Sequence, residues 1–189
     1  NADDAGINFT GESKLKIKLL KNELYIANTG IPFSPEGIKS LMVSDISPKE
    51  ALGEKYIGYK GLGFRSILGW ASSVAIISGN AKVGFSRAGA NKWLSHLMGS
   101  HESIATRVKL YTDKTQKKMP VSVLDAPVCL NGNVDDKEFI NLVKHGDAFI
   151  ADDYNTSICI SFHSEEIYDQ IEKQINSISS ETLLFLQNI

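Results

Sequence analysis

The sequence predicts an α+β fold: a two-layer α/β sandwich with a mixed, mostly antiparallel sheet and helices on one face. Three observations carry this expectation. Strand-like runs outnumber helical ones, several neighbouring runs are joined by short turns, and a late helical segment keeps Ile167, Ile171 and Ile175 on a single face. At 189 residues the chain suits one domain with a real core and is short for two. It contains neither an internal repeat nor the regular strand–helix alternation of a doubly wound nucleotide fold.

Taken in order, residues 1–6 read as the end of a helix stopped by Gly6. Residues 14–20 alternate lysine with apolar side chains, a half-buried strand with its charges outward. Lys21-Asn22 is a two-residue turn into a second strand at 23–27, so the pair reads as a β-hairpin. Asn28-Thr29-Gly30-Ile31-Pro32 breaks that strand. Ser34 then caps a helix with Pro35 at its first position and Ile38, Leu41 and Met42 as its apolar face. Residues 43–55 are polar and marked by Ser47-Pro48 and Gly53, the signature of a loop.

A glycine-rich stretch follows, with Gly58, Gly61 and Gly63 around Lys60, and leads into a helix at 64–70. Strands are expected at 73–78, 81–87, 106–111, 121–124, 128–130 and 157–162, with Gly79-Asn80 turning the first pair. A short helix is expected at 139–144. Ser164 caps the next one, and a last helix at 181–189 carries Leu183, Leu184, Phe185 and Leu186.

Composition narrows the function classes. Apolar residues are 42 % and charged residues 22 % of the chain, ordinary for a soluble globular domain. A formal charge of −2 gives no global bias toward nucleic acid or acidic membranes. No apolar run approaches the roughly 18 residues of a membrane span. Cys129 and Cys159 lie in apolar runs without metal or redox spacing and read as buried free thiols of a reducing, cytoplasmic compartment. The four histidines show no ligand-like clustering. The chain opens at Asn1 in what reads as the middle of a helix, so a fragment of a longer protein is expected.

The glycine-rich stretch is the first pointer to chemistry. Glycine admits close backbone approach, and a helix start leaves N–H groups unpaired beside the positive end of the dipole. Together these favour a bound phosphate. A glycine-rich turn before a buried helix has an equally good structural explanation, and the stretch lacks the Gly-Lys-Ser/Thr ending of a P-loop.

Three further polar motifs line up with it: Asn1-Ala2-Asp3-Asp4-Ala5, Asn28-Thr29-Gly30-Ile31-Pro32-Phe33 and Asn155-Thr156-Ser157. In this order they resemble the GHKL superfamily with its Bergerat ATP-binding fold, which includes gyrase, heat-shock chaperone, histidine kinase and mismatch-repair ATPases. The run from Ile57 to Ser66 and the ending from Ile178 to Leu186 look most like sacsin-type ATPase domains. The resemblance covers nearly the whole chain. It implies ATP and Mg²⁺ as cofactors, with Asn1 as the metal-binding asparagine and Asp4 as the acidic residue beside the nucleotide. Asn28 stands where most relatives carry the aspartate that accepts the adenine amino group; a neutral amide oxygen makes a weaker bond. Gly30 belongs to that turn, and Pro32 replaces its second glycine. Phe33 falls where relatives pack an apolar side chain on the base, or is a plain core aromatic.

Gly61, Leu62, Gly63 and Phe64 match the amides that cradle phosphates, Lys60 adds charge, and Thr156 matches the threonine that assists adenine recognition. Residues 43–55 correspond to the ATP lid, where Lys49 ranks low as a contact. The general base of such ATPases is a glutamate one helical turn before the asparagine, upstream of Asn1. Neither Asp3 nor Asp4 is nominated in its place.

The resemblance implies an ATP-hydrolysing switch that docks a second copy or neighbouring domains of the same protein, with no nucleic acid or membrane partner indicated. Two alternatives stay open. One is a nucleotide-binding regulatory module without turnover; the other is an interaction domain that has lost its ligand.

Overall fold

The computed structural model describes residues 2–42, 62–115, 120–132, 136–179 and 181, with only the backbone of Leu62. Asn1, the expected loop at 43–55, Lys60, Gly61 and nearly all of the expected helix at 181–189 lie outside the described residues. The elements run α1 (Ala2–Gly6), β1 (Leu15–Leu20), β2 (Glu23–Asn28), α2 (Pro35–Met42), α3 (Leu62–Ile67), β3 (Ala71–Ser78), β4 (Ala81–Ser86), α4 (Arg87–Ser100), α5 (Glu102–Thr115), β5 (Val128–Cys129), α6 (Lys137–Ala151), β6 (Thr156–Phe162) and α7 (Glu165–Asn176).

The described strands form one six-stranded sheet, ordered β1-β2-β6-β3-β4-β5, and every pairing in it is antiparallel. The fold is therefore α+β, as expected. Both expected hairpins are present: β1 and β2 turn at Lys21-Asn22, and β3 and β4 turn at Gly79-Asn80, where Gly79 has φ +55°. The late strand β6 inserts between the two hairpins and becomes the centre of the sheet.

Strand alternation sorts the core into two faces. Val74 and Ile76 of β3 point with Leu24 and Ile160 to one side, where Phe33, α2 (Ile38, Leu41), Phe64 of α3, and α7 (Ile167, Ile171, Ile175) pack. Ala75 and Ile77 point with Tyr25, Ala27 and Cys159 to the other, covered by Phe139, Leu142 and Phe149 of α6. Helices thus lie on both faces rather than one. The second layer arises because β2, β3 and β6 carry apolar side chains at consecutive positions, and the far face needs cover of its own.

Several local expectations change. Residues 106–111 are not a strand but part of α5, which contacts α4 and has Ile104, Val108 and Thr112 among its less exposed positions, at helical spacing. Helix α4 itself carried no expectation; Ser86 starts it, its hydroxyl accepting the Gly89 amide at 2.9 Å. Residues 121–124 form no strand, although Leu124 is buried in the first core. The helix expected at 139–144 extends over the 15 residues of α6. The helix expected at 64–70 starts two residues earlier and ends at Ile67. Gly6 sits inside α1, and Asn8 (φ +64°) takes the left-handed position after it. Ser164 stands at the N-cap of α7 with extended backbone but makes no capping side-chain bond. Cys159 is buried, whereas Cys129, at the short edge strand β5, is exposed. Among the described residues no helix is long and apolar enough to cross a membrane.

Candidate functional site

The antiparallel register brings three polar residues to one end of the sheet. Asn28 closes β2, Thr156 opens β6 opposite it, and Ser78 closes β3 on the far side of Thr156. Each lies two residues from an apolar side chain of the first core face: Ile26, Ile158 and Ile76. All three therefore point to the face covered by α2, α3 and α7. They are buried, at 6 %, 3 % and 1 % exposure. Polar groups this deep need partners.

Those partners define the geometry. The Ser78 and Thr156 hydroxyls are 2.6 Å apart, and Ser78 Oγ also accepts the Phe33 amide at 2.9 Å. Asn28 donates from Nδ2 to the Thr29 carbonyl at 2.8 Å, which leaves its Oδ1 as the acceptor atom. The Thr29 hydroxyl donates to the Glu12 carbonyl and accepts the Lys14 amide, fixing the chain that enters β1 beside this turn.

Gly30 follows in a conformation with φ +124°, reserved in practice for glycine. A side chain there would meet the Ala5 carbonyl oxygen at 2.5 Å. The Ile31 amide donates to the same carbonyl at 2.8 Å. Helix α1 is therefore docked directly on the turn. Asp3 and Asp4, both 5 % exposed, come with it.

Helix α3 begins at Leu62, so the amides of Leu62, Gly63 and Phe64 lie in its first turn without intrahelical acceptors. Gly63 is exposed, and a side chain there would meet open space. The Phe64 side chain is a core anchor, edge-on to Phe85 with ring centroids 5.7 Å apart. Arg65 reaches the Leu41 carbonyl at 3.4 Å and so ties α3 to the end of α2.

Of the residues singled out in the sequence, Asn28, Gly30, Phe33 and Thr156 converge at one sheet end, with Asp4 on the helix docked there. Phe33 is half-buried and packs on the first core. Gly63 and Phe64 belong to the helix that follows the glycine-rich stretch. Asn1, Lys60 and Gly61 lie outside the described residues. Ser78 was not anticipated. Its signal was present, because it continues the inward alternation of Val74 and Ile76, but a serine before Gly79-Asn80 reads as turn chemistry. Among the described residues no group of three or more His, Cys, Asp or Glu is placed to hold a metal ion. Comparison with protein-family models and with curated proteins finds no match for this chain.

Proposed function

We propose that the chain is a Mg²⁺-dependent ATP-binding domain of GHKL type, similar to sacsin-type ATPase domains, acting as a switch within a larger protein. The observation that supports this reading most is the buried row of Asn28, Thr156 and Ser78 on one sheet face, beside the glycine turn that seats α1. The donor set suits an adenine. Asn28 Oδ1 would accept the exocyclic amine, and the Thr156 hydroxyl, shared with Ser78, would serve a ring nitrogen directly or through water. The first-turn amides of α3 would face the phosphates. Asn1 is the proposed metal ligand. An amide oxygen is a sensible ligand for an ion that keeps several waters.

Closure of the 43–55 lid over bound ATP would favour docking of a second copy or a neighbouring domain, and hydrolysis would reopen it. Turnover would need a general base to activate the attacking water, a role for which the resemblance implies a glutamate one helical turn before Asn1. Equilibrium titration with a non-hydrolysable ATP analogue tests the reading. The expected result is Mg²⁺-dependent saturable binding that Asn28→Ala and Thr156→Ala each weaken by about tenfold, the effect of one lost ligand hydrogen bond. Wild-type protein that binds no analogue would overturn it.

A further inference from the structure

Asn155 lies at the Asn28–Thr156 end of the site and bonds the glycine turn on which helix α1 docks. Its Oδ1 accepts the Gly30 amide at 2.9 Å, its own amide donates to the Asn28 carbonyl at 3.0 Å, and its carbonyl accepts the Gly79 amide at 3.2 Å. These three bonds hold the end of β2, the Gly30 turn and the β3–β4 turn to the first residue before β6. The connection that carries Asn155 is itself fixed. Asp153 has φ +66°, the Tyr154 amide donates to the Phe149 carbonyl at 3.1 Å, and the two rings meet edge-on.

Beyond Gly30 the chain of contacts continues. The Gly30 backbone abuts the Ala5 carbonyl, and the Ile31 amide donates to it. Asp4 is the neighbour of Ala5 on α1, while Thr156 is the neighbour of Asn155 on β6. Asn155 is thus linked through Gly30 and Ile31 to the Ala5 carbonyl of α1, and directly to the strand end that carries Asn28.

We propose that Asn155 is the positioning residue that couples the base-recognising end of the site to helix α1. The coupling stands on this geometry, and its effect on ligand rests on the nucleotide reading above. The amide oxygen is the working atom, because it reaches the Gly30 N–H across the turn. Asn155→Asp keeps that acceptor, whereas Asn155→Ala removes it.

Two measurements on the 189-residue chain separate the parts. Amide hydrogen exchange reads the coupling without any ligand: Asn155→Ala should speed exchange at both Gly30 and Ile31, and Asn155→Asp should restore it. Titration with the non-hydrolysable ATP analogue reads the consequence. Asn155→Ala should bind about tenfold more weakly and lose part of the affinity gained from Mg²⁺, with Asp restoring both. If the alanine variant does not fold, Asn155→Gln displaces the oxygen by one methylene and should show the same pattern more mildly. Unchanged exchange at Gly30 and Ile31, or an unchanged Mg²⁺ gain in a chain that binds the analogue, overturns the coupling. Absence of binding by the wild type sinks the nucleotide reading instead, and exchange alone then decides the coupling.

Discussion

Asn28 donates into its own turn. Its Nδ2 lies 2.8 Å from the Thr29 carbonyl at a position only 6 % exposed, so this site needs a side chain with a hydrogen to give. An aspartate there, the residue the GHKL resemblance leads one to expect, would set a carboxylate oxygen against a carbonyl oxygen. Two effects then compete. A charged acceptor would strengthen the bond to an adenine amine, but a buried carboxylate facing a carbonyl loses a bond and meets repulsion, costing about 1–3 kcal/mol. The second effect acts with or without ligand, so it sets the stability of the fold and cancels from the affinity, which the first effect then governs. Asn28→Asp is expected to lower stability in urea unfolding by that amount and, in the folded fraction, to bind the ATP analogue more tightly than wild type. An equally stable variant would show that the Thr29 contact does not control the choice of amide.

At the scale of elements, α6 lies against the sheet through Gly146. A β-carbon there would fall onto Ile77 Cδ1 and within 2.8 Å of Cys159 Sγ. Gly146→Ala gains up to about 1 kcal/mol of helix propensity, but overpacking a filled core costs about 1–3 kcal/mol. The contacts are with two neighbouring strands at once, so packing should prevail. Thermal unfolding should give a net loss of about 1 kcal/mol, and a stabilised variant would mean that α6 can lift off freely. Hairpins with two-residue turns are local, and both were readable from Lys21-Asn22 and Gly79-Asn80. Helix α5 was misread because residues 106–111 alternate by chance over one short window. Its true signal, the helical spacing of Ile104, Val108 and Thr112, extends beyond that window, and α4, which it contacts, was itself unanticipated. The site was legible as separate motifs. That Asn28, Thr156 and Ser78 are neighbours depends on β6 inserting between two hairpins that lie far before it in the sequence, which no local pattern encodes.

Across the whole molecule, β6 joins the two cores: Ile160 faces one and Cys159 the other. Cys159 therefore reports on the integrity of the central sheet. Burial is the main cause that pushes its thiol from 9.0 up to about 12; Asp147 and Glu23 add to the rise, and the Ser157 hydroxyl opposes it. Tyr25, its cross-strand partner, is shifted in the same direction, first by burial and then by its hydrogen bond to Glu23. The sign follows from linkage. Above pH 9 the unfolded chain sheds the thiol proton while the folded chain keeps it, so the unfolded state gains free energy of ionisation that the native state forgoes. Stability from this group is fully present below pH 9 and is lost as pH rises toward 12, with a limiting slope of about 1.4 kcal/mol per pH unit. Tyr25 adds a loss of the same sign at higher pH. Urea unfolding followed from pH 8 to pH 11 should show a decline that steepens above about pH 9. Cys159→Ala should be less stable at pH 8 through its lost packing, yet decline more gently. Parallel curves for the two proteins would mean that the thiol ionises as easily in the folded sheet as in the open chain, and that β6 does not keep its inner face dry.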